Sequence, residues 1–121
     1  GVLRYSLTYG AGAESVKSTC TVTNAGTSEA FPVIYASGNM PQGFTLTNQD
    51  DGSQLVFSQP VGSAVVVIDC RSRTASVNGV DVTRNVIQRN FPTVAAGGSL
   101  TLSLNAEGNG TIEVAVRDTY I

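Results

Sequence analysis

The chain has 121 residues, a formal charge of −2, two cysteines, and neither histidine nor tryptophan. That length supports one domain with a full core and no need of metal or disulfide staples. Its arginines and lysines are scattered, so no cationic footprint for nucleic acid exists, and no run approaches the ~20 apolar residues of a membrane span, so no membrane insertion is expected. Abundant Gly, Ser, Thr and Asn suit many short strands joined by tight turns. The start at Gly1-Val2, without methionine, reads as a piece excised from a larger protein.

Val2 to Tyr9 alternates, with Leu3, Tyr5, Leu7 and Tyr9 on one face, and reads as a first strand. Gly10 to Ser15 is a small-residue connector. Lys17 to Asn24 alternates again, setting Cys20 and Val22 against Thr19, Thr21 and Thr23, and Asn24-Ala25-Gly26-Thr27 turns the chain. Phe31 to Ala36 is a third strand, with Pro32 near its start, where a missing ladder donor is tolerated. After a loop from Gly38 to Gly43, the runs Phe44 to Thr47 and Gln54 to Phe57 flank Asn48 to Ser53, which predicts a hairpin with an acidic tip.

Ala64 to Ile68 is short, β-branched and followed by turn residues, which makes it the candidate central strand. A basic turn, Arg71-Ser72-Arg73, separates it from Thr74 to Val77, and Asn78-Gly79 then supplies the dipeptide that most readily takes the positive backbone angles of a two-residue hairpin. That turn pairs Val77 with Val80, Ser76 with Asp81 and Ala75 with Val82, valines on one face and polar groups on the other. Thr83 to Pro92 is the least regular stretch and reads as a crossing loop anchored by Val86, Ile87 and Phe91. Leu100 to Leu104 and Thr111 to Arg117, joined by Ala106 to Gly110, predict a final hairpin. About nine or ten strands with an inward face on nearly every run imply an all-β fold, a two-sheet antiparallel β-sandwich of jelly-roll-like type. Alternation turns Cys20 and Cys70 inward; they read as free buried thiols, with a disulfide between facing sheets as the alternative.

The ordered phrases Asn24-x-Gly26-Thr27, Phe31-Pro32-Val33-Ile34, Val67-Ile68-Asp69 with Arg73 to Gly79, Phe91-Pro92-x-Val94-Ala95-Ala96-Gly97, and Val116-Arg117-Asp118-Thr119-Tyr120-Ile121 resemble the C-terminal domain of distal tail proteins from long, non-contractile-tailed bacteriophages. The resemblance covers roughly residues 20 to 121. It implies a galectin-like β-sandwich, appended to a ring-forming N-terminal domain that joins the tail tube to the receptor-binding apparatus. This chain lacks the phrases of the ring-forming part. The expected protein is therefore the C-terminal domain of a larger tail protein. It would be a virion component assembled in the host cytoplasm, with tail-tube, receptor-binding or hub proteins as partners. The parent would form a ring, and the isolated domain would be a monomer.

Catalysis has little to stand on. Without histidine the commonest general base is missing, the cysteines have no activator beside them in sequence, and no nucleophile elbow or phosphate-cradling loop occurs. Asp50-Asp51 reads as a turn former rather than half of a glycosidase carboxylate pair. Asn48, Asp50 and Asp51 gather hard oxygen ligands but fall short of a full calcium set, so no metal and no cofactor are expected. Asp69 reads as a structural anion satisfied by Arg71, Arg73 or Arg117 or by turn amides, the alternative being a site shared with Asp118.

The competing function is a carbohydrate-binding module for host surface polysaccharide, because the resemblance implies a galectin-like sandwich and that class can hold sugars on a concave sheet. Alternation sends Tyr5, Tyr9, Tyr35, Phe31, Phe44 and Phe57 to the core, leaving Phe91 and Tyr120 as the aromatic residues available to a sugar. The outward rows Thr19, Thr21, Thr23 and Thr101, Ser103, Asn105 would line a groove or form an ordinary solvated sheet face. The candidate docking or glycan surface is thus Tyr120, Phe91, Asp50 and Asp51, and the expected activity is structural and interactive rather than enzymatic.

Overall fold

The computed structural model of the protein describes residues 2–9 and 19–117. The Gly10 to Ser15 connector, Asp118 and the candidate Tyr120 lie outside the described residues. Strands form at β1 (Val2–Tyr9), β2 (Thr19–Thr23), β3 (Val33–Asn39), β4 (Phe44–Asn48), β5 (Gln54–Phe57), β6 (Val66–Asp69), β7 (Thr74–Val77), β8 (Val80–Asp81), β9 (Val86–Arg89), β10 (Ser99–Ala106) and β11 (Asn109–Arg117), with a 3₁₀ turn at Thr83–Asn85. One sheet has the order β1-β11-β3-β6-β7-β8 and the other β2-β10-β4-β5-β9. Every strand pair is antiparallel. The fold is the expected all-β sandwich.

The period of two along each strand decides what lies between the sheets. Ile34, Ile68, Ile112 and Val114 from the first sheet meet Leu46, Leu55, Leu102 and Leu104 from the second, all buried. Each such side chain contributes about 1.5–3 kcal/mol relative to exposure. Phe44 and Phe57, opposite one another on β4 and β5, stack with centroids 5.6 Å apart. Along one flank Tyr5 of β1 reaches across to β2, its hydroxyl 3.2 Å from Thr23 Oγ1. Asn24 is the polar residue buried among the described residues: its Nδ2 donates to Ser28 O and Val94 O, and its Oδ1 accepts from Gly26 N. Those bonds tie the Asn24 to Thr27 turn to the segment around Val94.

The meander after β6 forms in the predicted register, Val77 opposite Val80 and Ser76 opposite Asp81, with Val82 N donating to Ala75 O. Asn78 and Gly79 take φ of 50° and 79°, as a two-residue hairpin requires. The valine face is less covered than expected, since Val80 is 63% exposed at the end of a two-residue edge strand.

Four expectations need correction. The central strand begins at Val66, not Ala64, and Val65 is exposed. The third strand starts after Pro32, at Val33, and extends into the start of the expected Gly38 to Gly43 loop, ending at Asn39, after which buried Met40 bridges Val61. The supposed crossing loop contains the 3₁₀ turn and a strand, β9, which pairs with β5 through a register shift at Val56/Phe57. An edge strand with one buried residue shows too little periodicity to be read locally. Finally, β10 and β11 are not a hairpin: β10 pairs with β2 and β4, β11 with β1 and β3, so the intervening residues carry the chain from one sheet to the other. Alternation specifies which face of a strand is buried but not which strand lies beside it.

Candidate functional site

Three segments meet at one end of the sandwich: the β4–β5 turn, the β6–β7 turn and the stretch following β9. They enclose an open cavity of about 300 Å³ lined by Asn48, Asp51, Ser53, Arg73, Arg89, Asn90, Phe91, Pro92 and Thr93. Each wall is fixed by hydrogen bonds of its own. In the β4–β5 turn, Asp50 N donates to Asn48 Oδ1, while Ser53 N and Ser53 Oγ both donate to Asp51 Oδ1 at 2.9 and 2.7 Å. These are the side-chain-to-backbone bonds for which Asn and Asp are favoured in turns. The Ser53 hydroxyl and amide hold the exposed Asp51 carboxyl below its usual range.

The β6–β7 turn is set by Asp69, whose Oδ1 accepts from Arg71 N at 2.9 Å and Ser72 N at 3.4 Å and whose carbonyl accepts from Arg73 N. Of the two ways foreseen to satisfy Asp69, the turn amides do so. The arginines go elsewhere: the Arg71 guanidinium sits 4.4 Å over the Phe31 ring and that of Arg73 5.1 Å over the Phe91 ring. One turn thus caps both Phe-Pro phrases with cation–π contacts. Arg73 Nη2 also donates to Arg89 O, and Arg89 donates from Nε to Val86 O and from Nη2 to Thr83 O. Asn90 Nδ2 donates to Gln54 O, fastening the third wall to β5.

Of the sequence candidates, Asn48, Asp51 and Phe91 come together here, although Phe91 is not the open aromatic platform expected: it is 8% exposed and lies under Arg73. Asp50 turns away, with Oδ2 accepting from Thr101 N at 3.4 Å. The Asn48 and Asp51 oxygens engage their own turn, and no group of three His, Cys, Asp or Glu suited to a metal occurs among the described residues. Arg73 and Arg89 were not singled out as pocket residues. The available sign was an arginine at the end of a tight turn, a place that favours glycine or asparagine: Arg73 has φ of 59°.

Elsewhere, the outward rows of the five-stranded sheet form as expected, with Thr21 Oγ1 and Thr101 Oγ1 3.1 Å apart, as on an ordinary solvated face. Both cysteines are free thiols, Cys70 buried and Cys20 partly so; burial pushes Cys20 up to about 11 and Cys70 up to about 12. A second cavity, of about 460 Å³, lies at the opposite end of the sandwich between β5, β6 and β7, with Phe57, Val61, Val66, Val77 and Val82 in its wall.

The family model described as siphovirus-type tail component, C-terminal domain, matches residues 25–120. No curated protein matches the sequence. Among solved structures, the SPP1 Dit (gp 19.1) protein, described as a paradigm of the hub adsorption apparatus in phages infecting Gram-positive bacteria, superposes with a TM-score of 0.71 at 12% identity. The match covers 95% of this chain and 46% of that one, so this chain spans less than half the length of that protein.

Proposed function

Because this chain belongs to the siphovirus-type tail component family through its C-terminal domain, we propose that it is a docking domain of the phage tail tip, holding neighbouring tail or receptor-binding proteins in place during host attachment. A tail component is a structural part of the virion and works against other tail proteins. The observation that carries the docking reading is the family match over residues 25–120, on a sandwich whose loops converge into one polar recess. In this reading the domain projects from a ring-forming part of a larger tail protein assembled in the host cytoplasm. Each isolated copy is then a monomer that binds weakly, and the ring makes the attachment firm by presenting many copies at once.

A sugar-binding role finds less support in the walls of this fold. Sugar rings favour an open aromatic face, and at the recess Phe91 is buried under Arg73 while Phe31 is covered by Arg71; Tyr35, expected in the core, is instead half-buried on the face of β3 opposite Ile34 and Ala36, away from the recess lining. The deciding experiment immobilises the purified domain and passes over it, separately, the tail proteins produced from the same phage and wall polysaccharides of the host. Saturable capture of a tail protein supports docking. Saturable polysaccharide binding that free sugar competes away, with no tail protein retained, would overturn it.

A further inference from the structure

We propose that the recess between the β4–β5 turn, the β6–β7 turn and the segment after β9 is a carboxylate-binding site, and that it receives an acidic side chain of a neighbouring tail protein. The carboxylate chemistry follows from the recess alone; the bearer of the carboxylate rests on the docking reading above.

Two guanidinium groups of the recess lack an acid partner among the described residues. Arg73 and Arg89 both line the recess, and their hydrogen bonds go to the backbone carbonyls of Arg89, Val86 and Thr83. Each guanidinium carries five N–H donors, so most of them remain available, and no ion pair joins either residue to a carboxylate among the described residues. The carboxylate in the wall, Asp51, directs Oδ1 to Ser53, and Asn48 directs Oδ1 to Asp50 N. The lining side chains set two cations against that one anion, and the other carboxylate at the rim, Glu29, accepts from Thr93 Oγ1 rather than from a guanidinium.

The second observation is geometric. Arg73 stands at φ of 59°, a conformation costing an ordinary residue about 1–2 kcal/mol and one that glycine or asparagine accepts readily. The turn would close more easily without it. What the arginine supplies is a guanidinium held 5.1 Å over the centre of the Phe91 ring and bonded to Arg89 O. A group fixed in this way loses little freedom on binding, and a planar guanidinium suits the two oxygens of a carboxylate. The clamp around it is equally firm, since Asn90 is bonded to Gln54 O and Thr93 Oγ1 to Glu29. Because Arg73 covers Phe91, the recess offers no aromatic face to a sugar ring, which favours an acidic side chain over a uronate.

The test is an NMR titration of the ¹⁵N-labelled domain with tetraglutamate, tetraglutamine and a short oligogalacturonate. Tetraglutamate should shift the Arg73 and Arg89 Nε–H signals and the Asn90 and Thr93 amides saturably, with about millimolar affinity, while tetraglutamine leaves them in place. Arg73→Asn relieves the backbone and removes the charge; it should weaken tetraglutamate binding about tenfold at an undiminished melting temperature. Arg89→Gln provides an independent second variant. Equal shifts with both peptides, no shift at all, or binding unchanged in both variants would sink the site, and stronger binding of oligogalacturonate would reassign it to acidic polysaccharide. Running the same variants in the tail-protein capture separates the two readings. Capture that persists without tetraglutamate binding removes the pocket and leaves docking; tetraglutamate binding without capture removes docking and the proposed bearer, but leaves the carboxylate chemistry.

Discussion

The β4–β5 and β10–β11 junctions look alike locally and do different work. Each links two alternating strands, and each holds a glycine at positive φ, Gly52 at 78° and Gly108 at 84°. The first closes a hairpin within one sheet, with Gly52 N donating to Asn48 O and Asn48 N to Ser53 O. The second passes the chain between sheets. A Cβ at Gly52 would meet nothing within 4 Å, whereas one at Gly108 would lie 2.3 Å from Asn39 O and 3.0 Å from Pro41 Cδ. The hairpin glycine answers a torsional demand made by its own turn. The crossing glycine answers that demand and also makes room for the end of β3, which is a condition imposed from far along the chain.

Substitution separates the two demands. Gly108→Ala should cost at least about 3 kcal/mol, because backbone must shift to admit the methyl group, and urea denaturation would show this as a large fall in midpoint. Gly52→Ala should cost only the torsional penalty of about 1–2 kcal/mol, and Gly52→Asn should recover most of it, since asparagine tolerates this conformation. Equal losses in the two alanine variants would break the comparison.

A test that leaves both turns intact uses the core they share, where Cys20 of β2 lies opposite Leu102 of β10. Thiols of the unfolded chain ionise from about pH 9, while the folded ones stay protonated to about 11 and 12. The folded state therefore binds more protons above pH 9, so the thiols' contribution to stability is constant below that value and falls as pH rises toward 12. Urea midpoints at pH 8 and 10 would detect the fall, and a Cys20→Ala/Cys70→Ala variant should flatten it. The smallest effect belongs to Asp51. Its lowered carboxyl contributes above the ordinary value of 3.8, and the contribution is lost as pH falls through the folded value. Asp51→Ala should therefore reduce the acid sensitivity of the Ser53 amide signal without altering that of Gly108.

Legibility in the sequence followed the range of the interactions. The register of β7 with β8 was legible because Asn78-Gly79 sets it within a few residues, and the acidic tip was legible because Asn48 and Asp51 bond their own turn. Strand β9 was not, since Val86 is its one buried residue and β5 supplies the partner that makes it a strand. In the recess, Asn48 and Asp51 were nominated for the hard oxygens they gather, and those oxygens bond their own turn. Phe91 was nominated for an exposure it does not have, because Arg73 arrives over it from another turn.

By itself, then, the sequence determined the all-β character, the faces that β10 and β11 bury and the tight turns, all of which rest on period-two alternation and side chains that bond neighbouring amides. The tertiary structure alone decided that β10 and β11 part company into different sheets and that Arg73, Arg89 and Asp51 share a recess. Alternation fixes the orientation of a side chain and carries no information about which strand will complete the ladder; that choice is made when the two apolar faces close on each other, and it is that closure which brings residues distant in the chain to one end of the sandwich.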